Sequence, residues 1–320
     1  MSRIKPNPKP LFIERMKELL GKDFEEYDKI LKKLPVRSIR CNKLKISPEN
    51  LKKRLEQKGW KISHPFKDHK DIMVIENDLQ PGELGRALEH LMGYYYIQEL
   101  ASMLPIIALD PKPNQTILDL CAAPGSKTTQ LASQMNNTGT IIANDASLGR
   151  LRILASNLER CGVTNTILTK RDGFILTRRL KKFNFLFDKI LIDAPCSGEG
   201  TLRSTPKTYQ MWNIKNVFNL SKIQKGLLGT SFDLLKVGGE IVYSTCTHSP
   251  EENEEVIDYF LREFGDSIEI QKIKLPLNPR SGILKWKDKE YLEDVKYSCR
   301  VYPQDNNTEG FFLAKFKKLK

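Results

Sequence analysis

Apolar residues recur at helical spacing through Leu11–Leu20 and Phe24–Leu34, after which Val36-Arg37-Ser38-Ile39-Arg40 reads as a strand with basic residues interleaved. Ser47-Pro48 is an N-cap followed by a first helical position, opening a helix that Gly59 closes. Asp71–Glu76 is a short strand and Pro81-Gly82 a break. From Leu84 the texture is helical, through Tyr94-Tyr95-Tyr96-Ile97-Gln98 to Leu109. From residue 116 strand and helix alternate in the βαβ manner. Strands are expected at Thr116–Leu120, Gly139–Ala143, Thr166–Lys170, Lys189–Asp193 and Glu240–Ser244. The helices between them include Ser126–Ser133, Leu148–Arg160, Leu220–Leu235 and Glu251–Glu263. Ser267–Lys272 and Gly310–Phe316 are extended in pattern, the last suited to a strand added at the end of a sheet. The expected fold is α/β: a mostly parallel, doubly wound sheet over residues 81–320, preceded by a small basic α+β domain over 1–80.

Charge narrows the class of partner. The 320-residue chain carries a formal net charge of +13, and residues 1–80 hold 20 Lys/Arg against 12 Asp/Glu. That distribution favours a polyanion, and nucleic acid first. No apolar run approaches the length of a membrane span, and Met1–Pro6 lacks the apolar core of a secretion signal. The six cysteines include no Cys-x-x-Cys pair and the four histidines are scattered, so the reading is a cytoplasmic protein with reduced thiols and no metal.

Candidate chemistry gathers at strand ends, where open α/β sheets keep their sites. Asp193-Ala194-Pro195-Cys196-Ser197-Gly198 follows one apolar run and Ser244-Thr245-Cys246-Thr247 another. Pro-Cys-Ser-Gly is turn sequence rather than core sequence. Two thiols with an acid three places before one of them suit covalent catalysis, in which a thiolate attacks an electron-poor carbon and a carboxyl group manages protons. Either Cys196 or Cys246 qualifies as nucleophile on local chemistry alone. A third string, Asp119-Leu120-Cys121-Ala122-Ala123-Pro124-Gly125-Ser126-Lys127-Thr128, brings small residues to the N-terminus of a helix. It is not a phosphate loop, because Ser126 separates Gly125 from Lys127 and Leu120 stands where the first glycine belongs. Asp119 with Cys121, then Asp145, Asp172 and Asp193 at successive strand ends describe a nucleoside pocket, Asp145 suiting ribose hydroxyls and Asp172 a purine amine, although any of these acids also suits a helix cap.

These strings resemble the Fmu/Sun family of RNA cytosine-C5 methyltransferases, which use S-adenosylmethionine. The matches are Asp119–Thr128, Asn144-Asp145, Arg171-Asp172-Gly173, Asp193–Gly200, Tyr243–Glu252 and Glu309-Gly310-Phe311-Phe312, with a weaker one at Val36–Asn42. Pro-Gly-Ser-Lys-Thr and Pro206–Trp212 are most like the archaeal and eukaryotic tRNA-modifying members. The resemblance implies a Rossmann-like methyltransferase fold and methyl transfer to C5 of cytosine, in tRNA first and in rRNA as the alternative; a non-catalytic RNA-binding assembly factor is the rival of a different class. It implies Cys246 as the nucleophile on C6, Asp193 as the group on N3, Cys196 as the residue that helps release product, and Lys127 as a partner of Asp193 or of the base carbonyl. Cofactor contacts fall to Cys121, Ala122, Ala123, Pro124, Gly125, Ser126, Lys127, Asp145, Arg150, Asp172 and Asp193. The enzyme is read as a monomer. Arg37, Arg40, Lys43, Lys45 and Arg203 are candidates for phosphate contacts, and Tyr94–Tyr96 and Trp212 for stacking on bases.

Overall fold

The computed structural model describes residues 7–320; Met1–Pro6, read above as carrying no secretion signal, lie outside the described residues. In chain order the principal elements are α1 (Pro10–Leu20), α2 (Phe24–Leu31), β1 (Arg37–Cys41), α3 (Pro48–Glu56), β2 (Ile62–Ser63), β3 (Ile72–Ile75) and β4 (Tyr95–Ile97). The alternating region follows with β5 (Thr116–Asp119), α4 (Ser126–Gln134), β6 (Thr140–Asn144), α5 (Leu148–Cys161), β7 (Thr166–Thr169), α6 (Gly173–Lys182) and β8 (Phe187–Asp193). The last stretch holds α7 (Ile214–Phe232), β9 (Leu235–Thr245), α8 (Glu254–Phe264), β10 (Ile268–Gln271), β11 (Arg280–Ser281), a hairpin of β12 (Lys285–Trp286) and β13 (Lys289–Glu290), β14 (Cys299–Val301) and β15 (Phe311–Lys318). The described residues form two compact units, one of residues 36–193 and 230–242, the other of 7–35, 194–229 and 243–320.

The first unit holds two sheets. β5 pairs in parallel with β6 on one side and β8 on the other, and β6 with β7, so the strand ends face one rim. Ile117, Leu118, Ile141, Ile190 and Leu191 are fully buried, which is why these strands read as unbroken apolar runs. The smaller sheet is antiparallel in the order β2-β3-β1-β4. Its last strand contradicts the sequence pattern: Tyr95–Ile97 is extended, not helical, and pairs Ile39 to Ile97 and Cys41 to Tyr95. Three consecutive tyrosines carry strand propensity, and that local preference outweighs the helical spacing on either side. Ser47 caps α3 by accepting the Asn50 N–H, as its sequence suggests.

In the second unit β15 runs antiparallel to β14 and to β10. Phe312 packs edge-on against Tyr243, which lies near the end of β9. α1 and α2 contribute Phe12, Met16, Leu20, Tyr27 and Leu31 to a cluster with Leu202, Trp212 and Tyr302. α8 begins at Glu254, not at Glu251: residues 250–253 are turn. Among the described residues no helix is long and apolar enough to cross a membrane.

Candidate active site

In the first unit a loop is built where β5 ends. Leu120 N–H donates to Leu191 O and Ala122 N–H to Asn144 O, at 3.1 and 2.8 Å, so main chain fixes the loop from both neighbouring strands. Ala123-Pro124 is a cis peptide. Gly125 has φ +106°, a backbone conformation that L side chains rarely adopt, so glycine suits the turn into α4. Asn144 stitches the rim, donating to Leu120 O and Arg171 O and accepting from Thr169 Oγ1 and Arg171 N–H. Asp119 is buried; its Oδ2 accepts from Thr128 Oγ1 at 2.7 Å while Oδ1 has no partner, and burial pushes this carboxyl up to about 7. Burial also drives the Cys121 thiol well above its ordinary range.

Lys127, in the first turn of α4, extends to Asp193 at the end of β8. Its Nζ donates to Asp193 Oδ2 at 2.8 Å and to Ser102 Oγ at 3.2 Å. Asp145, with a side chain only 4% exposed, accepts Ser147 N–H at 2.8 Å and pairs with Arg150 at 3.2 Å. Arg150 also donates to Ala123 O, which ties the acid to the loop. Asp172 is exposed and caps α6, its Oδ1 accepting the Phe174 and Ile175 N–H groups. The cofactor strings therefore converge on one rim: a glycine cradle, helix N–H groups, a buried acid with a free oxygen at Asp119 and a carboxylate at Asp145. That set suits a nucleoside joined to a charged tail, and S-adenosylmethionine is such a group.

In the second unit the two thiols meet: Cys196 Sγ and Cys246 Sγ are 3.2 Å apart. Ala194 N–H donates to Ser244 O and Gly200 N–H to Cys246 O, which brings the Pro-Cys and Thr-Cys loops together. Gly200 N–H and O serve both sides, since Gly310 N–H donates to Gly200 O at 2.8 Å. A Cβ on Gly200 would lie 2.3 Å from Gly310 O, so the crossing admits no side chain. Beside it Arg203 is buried and donates to Thr308 O, Leu34 O and Asn307 Oδ1. The Cys196 thiol is held well above its ordinary range by its hydrogen bond with Cys246 and by burial, so it stays protonated at neutral pH. Burial, with Arg300 close by, pushes His248 down to about 3, and this neutral ring stacks on Tyr302 at 5.1 Å.

Similarity to known proteins decides the family. The model of the 16S rRNA methyltransferase RsmB/F family matches residues 106–317, and that of the N-terminal domain of 16S rRNA methyltransferase RsmF matches 9–100. The chain belongs to the RsmB/F family, also called Fmu/Sun. It is 41% identical over 307 residues to the tRNA (cytosine(49)-C(5))-methyltransferase of Pyrococcus abyssi, covering 96% of this chain and 95% of that protein. Against ribosomal RNA small subunit methyltransferase F of Vibrio campbellii the identity is 38%, over 96% of this chain but 63% of that protein. Among solved structures, a methyltransferase homologue from Pyrococcus horikoshii superposes with a TM-score of 0.84 at 36% identity, over 97% and 95% of the two chains. NSun6 from the same organism, solved with SFG, gives 0.81 at 26% identity, over 99% and 100%. This RsmB/F-family chain is an RNA cytosine-C5 methyltransferase dependent on S-adenosylmethionine, with the Rossmann-like fold expected of it.

Several RNA-contact expectations fail for one physical reason. A buried polar group must find partners inside the protein, and once it has them it has nothing left for a phosphate. Arg40 donates to Gln98, to Ser126 O at 2.8 Å and to Thr129 Oγ1 at 2.8 Å, and burial lowers its guanidinium to about 10. Arg203 is spent on the bonds described above. Lys45 is not in this group: its side chain donates to Met92 O and Arg160 O, but it is exposed. Trp212 is 3% exposed, with its indole N–H on Glu199. Tyr95 is fully buried with its hydroxyl on Leu84 O, and Arg40 and Arg160 cover Tyr96. Sequence reasoning missed Gln224, Glu252 and Asn253. Glu252 closes the matched string Tyr243–Glu252, but nothing in one sequence marks which acid of Glu251-Glu252 reaches the Cys196 loop.

Proposed function

We propose that this RNA cytosine-C5 methyltransferase acts on tRNA through both thiols. The observation that carries the two-thiol reading is the 3.2 Å separation of Cys196 and Cys246. C5 and C6 are adjacent ring atoms, so one group that attacks C6 and one that serves C5 have to be neighbours. In this reading Cys246 is the nucleophile: its sulfur bonds to C6, and the electron pair displaced toward N3 is stabilised by Asp193, whose position Lys127 holds. S-adenosylmethionine, when bound, would supply the methyl group to the enriched C5, its sulfonium S–CH3 bond breaking to leave the thioether S-adenosylhomocysteine. Loss of the C5 proton to solvent then expels the Cys246 sulfur and restores the ring, with Cys196, kept as a thiol, assisting that release by donating a hydrogen bond to the departing thiolate. Asp145, Arg150 and Asp172, with residues 121–127 and Asp193, are assigned to the cofactor. The target base must leave its stack before any of this begins.

The near end-to-end match with the Pyrococcus abyssi tRNA enzyme supports tRNA. The family description as a 16S rRNA methyltransferase favours rRNA as the second reading. Residues 1–80 are proposed as the RNA-recognition part of the chain and 81–320 as the catalytic part, with half-buried Arg37 and exposed Lys43 and Lys45 as the proposed phosphate contacts. The proposed setting is a cytoplasmic monomer without a metal; all six cysteines are free. The test is to incubate the protein with S-adenosylmethionine and unmodified tRNA and rRNA and to map 5-methylcytosine by bisulfite sequencing. One defined tRNA cytosine is expected; methylation confined to rRNA overturns the substrate, and none on either overturns the reading.

A further inference from the structure

Between the Thr-Cys loop and α8 lies Glu251-Glu252-Asn253-Glu254, four consecutive polar residues, each no more than 4% exposed. Burial on this scale is costly unless every group is satisfied, and these four divide the work. The outer pair anchors the segment. Glu251 accepts from Arg15 at 2.7 Å and from the Trp286 indole at 3.0 Å, and Glu254 takes the Arg300 guanidinium in a fork. The inner pair reaches the thiol loops. Asn253 Oδ1 accepts from Thr245 Oγ1 at 2.7 Å and its Nδ2 donates to Thr247 O at 3.0 Å, so one amide grips both neighbours of Cys246. Glu252 Oε2 accepts the Ser197 N–H at 3.0 Å and Gln224 Nε2 at 2.9 Å, and the same Nε2 donates to Pro195 O. Both neighbours of Cys196 are thus held as well. The Ser197 and Thr247 hydroxyls close the ring at 2.7 Å.

We infer that Glu252 and Asn253 are positioning residues that set the spacing of the two thiols, Asn253 holding the Cys246 loop and Glu252 the Cys196 loop. The inference rests on the two-cysteine reading of the reaction. It accounts for a segment that has helical sequence yet remains a turn through Asn253, since a helix there would not aim both side chains at the thiol loops.

Two readouts separate positioning from general stability, and one needs neither RNA nor cofactor. Phenylarsine oxide condenses with two adjacent thiols, with loss of water, and so reports their spacing; Cys196→Ser sets its baseline. Losing the hydrogen bonds of one buried polar group is expected to weaken arsenical capture about ten-fold in Glu252→Ala and Asn253→Ala. In both, kcat on tRNA should fall about 10²-fold, as for reacting groups displaced by an ångström, with KM for S-adenosylmethionine unchanged. Glu252→Gln keeps an acceptor for Ser197 and Gln224 and should retain both properties. Wild-type capture in Glu252→Ala or Asn253→Ala overturns the inference, and so does a Glu252→Gln protein as impaired as Glu252→Ala. If the alanine proteins do not fold, Thr247→Val, which removes only the ring-closing hydroxyl, decides: weakened capture supports the inference and wild-type capture overturns it. A wild-type protein that captures the arsenical as expected but methylates no RNA condemns the two-cysteine reading instead.

Discussion

The cofactor loop and the thiol loops both start where a strand ends, yet they are held by different means. The first is fastened by its own main chain, with Leu120 and Ala122 donating to the neighbouring strands and Gly125 turning the chain into α4. The second is fastened largely by side chains from elsewhere in the sequence: Gln224, Glu252 and Asn253. Backbone-built sites are written in one contiguous string, because the residue types that permit the turn are the turn itself. Side-chain-built sites are dispersed, and their supports resemble ordinary polar residues until the chain is folded. The first kind tolerates substitution at its rim; the second fails when a distant support is removed.

The largest effect that tests this contrast is at the thiols. Cys246→Ala should lower methylation by about 10⁴-fold or more, the scale of removing a nucleophile. Cys196→Ala should instead leave bond formation intact and block release, so that a covalent RNA–protein complex survives denaturing electrophoresis. Reversal of these two outcomes would exchange the roles of the cysteines. Next is the one ion pair of the cofactor rim that touches proposed chemistry. Lys127→Ala should cost about 10²- to 10³-fold in kcat, comparable to losing one donor that stabilises developing charge. KM for S-adenosylmethionine should change little, because the loop keeps its main-chain bonds; a loss expressed mainly in KM would confine Lys127 to its cofactor role and remove it from the support of Asp193.

Arg40 is the exception on the cofactor side, a side chain from β1 that supports the start of α4 through Ser126 O and Thr129. Arg40→Ala leaves those buried groups short of a donor and opens a cavity, so it should destabilise the protein by about 2–4 kcal/mol. Urea unfolding with an unchanged m-value checks it. A protein of wild-type stability that has lost RNA affinity would restore Arg40 to the RNA-contact set.

The central alternating strands were legible because both faces of the parallel sheet are covered there: Thr116–Asp119 and Thr140–Asn144 start and stop within a residue of the apolar runs that announce them. The short strand Tyr95–Ile97 was not, since its partners β1 and its sheet lie some 50 residues back, and pairing at that distance leaves no local period. At the site, the strings containing Lys127, Asp193, Cys196 and Cys246 were readable, and the structure pairs Lys127 with Asp193 and sulfur with sulfur. Basic residues were the least readable. Arg37, Arg40 and Lys45 are alike in sequence, and only burial tells an exposed Lys45 and a half-buried Arg37 from an Arg40 spent on the interior.

The smallest effect is a pH dependence that isolates one support of the thiol loops. Burial, with Glu199 nearby, raises the Glu252 carboxyl from 4.5 to about 7. Between those values the folded protein holds a proton that the unfolded chain has released, so stability falls as pH rises through this window and is level above it. Glu252→Gln has nothing to ionise there. Its melting temperature relative to wild type should therefore climb from about pH 4.5 to about pH 7 and then stay constant, by the equivalent of about 3 kcal/mol at most. His248 works in the opposite sense. Its folded value near 3 lies below the ordinary 6.5, so stability is lost as pH falls from 6.5 toward 3. Both proteins share that loss, and the difference between them removes it, as it does the shift at Asp119. A difference in melting temperature that is flat across this window would mean that Glu252 is ionised in its buried ring at every pH tested, with its charge fully balanced by Ser197 N–H, Gln224 and Thr247.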